Sequence, residues 1–379
     1  MAVFKALLWG SFGLIVWTHA GYPLAAGLGA RLRAYRPRRD DGYLPGVALI
    51  IVAHNEAGVI ADRLENALAL DYPPDRLEIV VSSDASTDRT HEVVERYAEH
   101  GVRLLVNPRG GKIAAQNAAV RATRAEILAF SDANSMWEPN ALRLLVRNFA
   151  DPEVGYACGR LRLASPDGGE NVEGLYWRYE LWLRAQESRL GSITAGNGAI
   201  YAVRHSAYLD LPPEYSHDIA LPFRLRRSGL RSVYEPAAVC VEPAAASTSA
   251  EWSRKVRMLS RSWWDTVRGG MLDPRRQSPL YYAELISHRF LRYASGLLHA
   301  ALLVSSAALA PASGAARVFL AVQGAWLVLA LAGWRWPGRV PLSGLAWYYL
   351  VVTAASLAAL LRMLRHGPQV TWRPADGTR

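Results

Sequence analysis

The sequence is short of cysteine. It has two in 379 residues, Cys158 and Cys240, and no CxxC pair. That excludes a disulfide framework and a cysteine-rich zinc site, and it reads both as reduced, buried small side chains. Lysine is almost as scarce, at Lys5, Lys112 and Lys255, so arginine carries the net charge of +10. There is no GxGxxG and no GxxxxGK[ST], hence neither a dinucleotide fingerprint nor a P-loop. No basic stripe is interleaved with aromatics, which argues against a nucleic-acid partner. A mean hydropathy of +0.02 excludes a chain embedded in a membrane throughout, and a disordered one.

What is present is segregated. Residues 6–30 contain no Asp, Glu, Lys or Arg. This run is too long for a signal-peptide core, and RLRAYRPRR follows it rather than a cleavage site. It reads as a retained anchor. Three further apolar stretches occupy 294–313, 317–333 and 341–361, with Trp334, Trp336, Trp347 and Tyr348 suited to a bilayer interface. A buried helical bundle is the alternative, but its helices would need a polar face. The arginines after the anchor (Arg31, Arg33, Arg36, Arg38, Arg39) place the middle of the chain on the cytoplasmic side, and His288, Arg289 and Arg292 agree. Arginine at that edge also fits anionic lipid. One conflict stands. One plus three crossings puts the C-terminal end outside, yet Arg362, Arg365 and Arg373 follow the last stretch. Either one tail segment is re-entrant or interfacial, or the rule is overridden there.

Between residues 40 and 290 the pattern is that of an α/β domain. VALIIVA (47–53) is a continuous β-branched run, as in a buried parallel strand. Further strands are expected at 77–81, 102–106 and 127–130, each followed by a helical pattern, so the sheet is doubly wound. Polar residues gather after the strands: Asn55 and Glu56, Asp84 and Asp88, Asp132 and Asn134. Ligands of open α/β sheets bind beyond the carboxyl ends of strands, so this set converges on one crevice. Singly, Asp84, Asp88 and Asp132 read equally as helix caps or turn residues, and Lys112 as a solvated loop residue.

In order along the chain stand AHNE, SSDASTD, GGK…QN, FSDAN, GNGAIYAVR, HDIALPFRLRRSG and RKVRMLSRSW. This series resembles family 2 glycosyltransferases of the GT-A fold, from about residue 46 to 262. The resemblance implies a Rossmann-like mixed sheet flanked by N- and C-terminal transmembrane helices. It implies an anchor at 1–30, a cytoplasmic GT-A domain at 40–288, about three spans within 289–365, and a tail at 366–379. It further implies a multi-pass protein of the cell (inner) membrane.

The implied activity is transfer from a UDP-sugar to a lipid-linked or polysaccharide acceptor, with Mg²⁺ or Mn²⁺ as cofactor. Asp132-Ala133-Asn134 matches the family's DxD-like motif, with Asp132 toward ribose and metal and Asn134 as a metal ligand in place of the second Asp. Glu56 and Asp84 match positions that contact uracil and ribose. Asn55 stands beside Glu56, and Lys112 lies in the segment near the nucleotide. His217-Asp218 replaces the family's Glu-Asp pair, leaving Asp218 as general base. A helix N-terminus lowers its pKa and an apolar cleft raises it. His217 reads as an exposed loop residue, or else as support behind Asp218.

RKVRMLSRSW occupies the place of QxxRW. Arg254 replaces Gln, Arg257 matches Arg, and Met258 replaces Trp, which counts against processive polymerisation. Arg257, together with Arg254, clamps diphosphate in this reading, or the segment is an interfacial basic helix. The segment 173–188 lines an acceptor groove or packs in the core. A processive synthase and a non-catalytic nucleotide-binding scaffold remain the alternatives.

Overall fold

A computed structural model describes residues 1–164, 173–243 and 248–371. Its centre is an eight-stranded mixed sheet in the order β3-β2-β1-β4-β7-β6-β8-β5. The strands are β1 (Val47–Ala53), β2 (Leu77–Asp84), β3 (Val102–Asn107), β4 (Ile127–Asp132), β5 (Met136–Trp137), β6 (Val154–Ala164), β7 (Ile200–Arg204) and β8 (Arg231–Pro243). The first four pair in parallel, as their continuous apolar runs require. Beyond β4 the sheet turns mixed: β7 runs antiparallel to β4 and β6, and β8 runs parallel to β6. Every residue of β1 is buried, and alternate side chains feed two cores. Leu49 and Ile51 meet Ile60 and Leu64 on one face, while Ile50 and Val52 meet Ile113 and Phe130 on the other. Cys158 and Cys240 are free and buried.

The helices are α1 (Ala2–Val16), α2 (Tyr22–Leu32), α3 (Ile60–Leu68), α4 (Thr90–Glu95), α5 (Lys112–Arg121), α6 (Ala141–Val146), α7 (Glu173–Leu190), α8 (His217–Arg227), α9 (Thr248–Val267), α10 (Pro279–Glu284), α11 (Leu291–Tyr293), α12 (Ser295–Leu309), α13 (Gly314–Arg335) and α14 (Ser343–His366). A π-helical turn at Trp17–Gly21 joins α1 to α2, and another at Leu285–Phe290 joins α10 to α11.

Among the described residues three helices are long and apolar enough to cross a membrane: Ala2–Leu32, Gly314–Arg335 and Ser343–His366. The first of the three expected tail spans forms α12, whose 15 residues reach about 22 Å, short of a hydrocarbon core of about 30 Å. Helix α14 keeps company with α9. Lys255 Nζ lies 3.1 Å from Tyr348 Oη, Trp263 Nε1 donates to the Ser356 carbonyl at 3.0 Å, and Arg261 Nη2 to the Val370 carbonyl at 2.7 Å. The segment after α14 therefore returns to the α/β domain. Arg362 and Arg365 belong to this return, whereas Arg373 and the rest of the tail from 372 to 379 lie outside the described residues.

The anchor is stapled to the domain by polar contacts. Tyr22 Oη donates to Glu187 at 2.8 Å, and Trp17 Nε1 to Ser287 at 3.0 Å. Tyr349 Oη links His19 and His299, each at 2.9 Å, and so ties the first apolar helix to α12 and α14.

Candidate active site

One cleft of about 560 Å³ runs from the carboxyl ends of β1 and β4 to the membrane-side helices. Of the residues singled out in the sequence, Glu56, Lys112, Asp132, Asn134, His217, Asp218, Arg254 and Arg257 line it. Asn55 and Asp84 stand behind the wall. Asn55 takes a left-handed φ of 56°, and its Oδ1 accepts the Thr87 N–H at 2.7 Å, tying the loop after β1 to the loop after β2. Asp84 is fully buried, and its Oδ1 accepts the N–H groups of Gly110 (2.7 Å) and Gly111 (3.0 Å) while Oδ2 pairs with Arg109. Its oxygens are spent on shaping the loop that delivers Lys112. Gly111 needs its φ of 87°, and a Cβ there would meet the Val370 carbonyl at 2.5 Å.

Lys112 opens α5, pairs with Asp132 Oδ1, and also donates to the Gly198 carbonyl at 3.3 Å. Across β4 the register of β5 on β8 sets Met136 opposite Val241, which brings Glu242 beside Ser135. The Ser135 hydroxyl donates to Glu242, and the carboxyl of Glu242 is pushed up to about 6 by burial and by the charge of Asp132. Asp132, Asn134 and Glu242 thus put three side-chain oxygen donors on one wall, the ligand set of a hard divalent cation. Among the described residues no group of three His, Cys, Asp or Glu closes a complete cage.

Asp218 is the second residue of α8, and its carbonyl accepts the Gly196 N–H at 2.7 Å. Burial raises its carboxyl above the usual range, against the pull of Lys112, Arg261 and Arg184. The contest between helix end and apolar cleft therefore falls to the cleft. His217 corrects the exposed-loop expectation. It is 3% exposed, with Nδ1 at 2.8 Å from Tyr201 Oη and Nε2 at 3.3 Å from Tyr208 Oη. Burial, Lys112 and Arg261 push its pKa down to about 3, so it is a neutral ring behind Asp218.

Several cleft residues carry no motif. Arg261 stands four residues after Arg257 on the same face of α9, a spacing visible in RKVRMLSR. Burial and the neighbouring Arg254 lower the pKa of Arg257. Asp265, also on α9, is fully buried and accepts from the Ser216 hydroxyl at 2.5 Å. Burial raises its pKa well above the usual range. Helix α7 meets both expectations held for 173–188: Leu181 and Leu183 pack inward, while Tyr176, Trp177, Glu180 and Arg184 line the cleft. Gly196 is small because of Tyr156, whose hydroxyl would lie 2.1 Å from a Cβ there.

A mixed sheet with acidic and amide groups at the ends of its parallel strands, facing a carboxylate on a later helix, defines a GT-A nucleotide-sugar fold. The comparisons narrow the class. Residues 48–210 match the profile "Glycosyl transferase family 2". A poly-beta-1,6-N-acetyl-D-glucosamine synthase of Staphylococcus aureus is 25% identical over 262 residues, covering 65% of this chain and 62% of the relative. The synthase of the same name from Staphylococcus epidermidis is 24% identical over 249 residues, covering 61% and 60%. The chain thus spans less than two thirds of the length of the curated relatives it matches. A mannosyltransferase from Pyrobaculum calidifontis, solved with GDP-Man and Mn²⁺, superposes with a TM-score of 0.75 at 25% identity, covering 96% of this chain and 98% of the other. Over residues 48–210 the chain is similar to glycosyltransferase family 2, its fold is that of a GT-A enzyme, and three of its helices are long and apolar enough to cross a membrane.

Proposed function

We propose that the protein is a membrane-bound inverting glycosyltransferase of exopolysaccharide or cell-envelope synthesis. It moves one sugar, or a few, from a UDP-sugar to a lipid-linked or polysaccharide acceptor at the cytoplasmic face. The observation that carries this reading is the raised, buried carboxylate of Asp218 in the same cleft as Lys112, Asp132 and Asn134. A single base beside the donor site gives one displacement, and hence inversion at the anomeric carbon. Asp218 takes the proton of the acceptor hydroxyl, and a raised pKa makes it a better acceptor near neutrality. Lys112, Arg257 and Arg254 neutralise the leaving diphosphate. Asp132 and Asn134, with Glu242, would hold Mg²⁺ or Mn²⁺, and the ion would supply Lewis-acid stabilisation of the diphosphate. Glu56 faces the base and ribose, while Asn55 and Asp84 fix the loops around them. His217 holds the start of α8 through its two tyrosines.

Membrane placement follows the same reasoning. The helix Ala2–Leu32, α13 and α14 cross and the short α12 does not, which leaves the α/β domain and Arg362 and Arg365 together on the cytoplasmic side. The test is a donor screen on purified protein, reading nucleotide release across UDP- and GDP-sugars with Mn²⁺ or Mg²⁺. Release with a UDP-sugar, lost without metal, is the expected result. Nucleotide binding with no turnover for any donor favours the scaffold reading. The polymerising synthases among the relatives favour a second reading, a processive enzyme, which product length on a gel decides.

A further inference from the structure

At its membrane end the cleft is lined by arginines that the transfer chemistry above does not use. Arg184 is 3% exposed, and its Nε and Nη1 have no hydrogen-bond partner. Its guanidinium lies 5.7 Å from the ring of Tyr234. Arg289 donates through Nε to Thr194 Oγ1 at 2.8 Å and reaches Glu180 at 3.4 Å, and its Nη2 has no partner. Arg292 pairs with Glu180 at 2.5 Å and is held by the rings of Tyr176 (4.8 Å) and Tyr179 (5.5 Å), and its Nη2 likewise has none. Arg289 and Arg292 therefore share one carboxylate, Glu180, and Arg184 makes no ion pair among the described residues. The next carboxylate, Glu187, is already engaged by His288, Tyr22 and Thr194. Burying positive charge without partners is costly, and an anion arriving there recovers that cost. A guanidinium keeps its charge and presents a planar fork that fits phosphate oxygens.

We propose that Arg184, Arg289 and Arg292 form an anion pocket that holds the phosphate of a membrane-lipid acceptor. The positive charge left over among these arginines favours a phosphate monoester. The lipid source follows from the walls. The same cleft is lined by His19 of the anchor, Ser295 of α12, and Tyr349, Val352 and Thr353 of α14. A nucleotide diphosphate enters instead at the strand ends, beside Lys112. This proposal rests on the glycosyltransferase reading for the word acceptor, but the anion pocket stands on its own residues.

The test uses the full chain in detergent micelles, with farnesyl phosphate, farnesol, inorganic phosphate and UDP with Mn²⁺ as probes in separate titrations. Wild type is expected to bind farnesyl phosphate and not farnesol, with UDP neither competing nor displaced. Arg184→Gln weakens farnesyl phosphate at least ~10-fold and leaves UDP binding unchanged, and Arg184→Lys recovers part of the loss. Unchanged farnesyl phosphate binding in Arg184→Gln overturns the proposal. So does equal affinity for farnesol, or for inorganic phosphate. Displacement of UDP by farnesyl phosphate in the wild type also overturns it, by assigning the arginines to the donor, and this arm needs no variant to fold. Failure of UDP to bind wild type while farnesyl phosphate does sinks the glycosyltransferase reading and leaves the pocket.

Discussion

At the strand end of the cleft two aspartates are matched by partners. Asp84 is met by two backbone N–H groups and Arg109, and Asp132 by Lys112. At the membrane end two guanidiniums lean on Glu180, a third, Arg184, has no ion pair among the described residues, and four nitrogens of the three have no partner. The first end is shaped before any ligand arrives, since its loops are built around its own carboxylates. The second is shaped by helices distant in sequence, and its electrostatics are completed by what binds. Preorganisation at one end favours a fixed reaction geometry. Unspent charge at the other favours affinity and selection.

The sharpest way to break this contrast is at its midpoint. Asp218→Asn is expected to lower transfer by about 10²–10⁴-fold while UDP affinity stays within about twofold, read by nucleotide release and by calorimetry. Next in size, Lys112→Ala is expected to weaken UDP by ~10–100-fold. A parallel farnesyl phosphate titration should not move, and if both affinities fall the two ends are not separate sites. The pH profile follows in turn. Asp218 must be deprotonated to act and burial raises its pKa, so kcat falls on the acid side at a pH above the usual carboxylate range. An acid limb at about pH 4 or below would place Asp218 in a solvated setting.

A smaller effect is expected from Asn134→Asp. An added carboxylate beside Asp132 and Glu242 tightens Mn²⁺ by about tenfold, as seen by paramagnetic resonance of the metal without donor. Least of all, Asp265→Asn is expected to stabilise the protein by about 1 kcal/mol near neutrality. The folded carboxyl keeps its proton well above the unfolded pKa, so wild-type stability falls as pH rises through that window. Thermal melts at pH 4 and pH 7 check the sign: the gain should be present at 7 and vanish at 4.

The strand end was legible because its signals are local. VALIIVA and the runs at 77, 102 and 127 form strands starting where the apolar residues start, and the polar residues follow them directly. What rests on long-range pairing was not. His217 is buried by Tyr201 and Tyr208, whose approach depends on β7 lying beside β4. Glu242 reaches Asp132 only through the pairing of β5 with β8. Arg184 looks like any surface arginine of an amphipathic helix until Tyr234 of β8 and Asp218 of α8 come close to it. Tail length and composition gave three apolar segments, but not that one of them turns back along α9.

That return has a consequence for how the molecule comes into being. Strands β1 to β7, Lys112, Asp132 and Asp218 are all synthesised before residue 220, and chains fold from the N-terminal side as they emerge. Tyr349, Val352 and Thr353 come more than a hundred residues later, on the last apolar helix, together with the Gln369 and Val370 carbonyls that Arg261 grips. A ribosome-bound intermediate therefore owns the chemistry but not the enclosure, and the site is closed only when that helix has been delivered to the membrane.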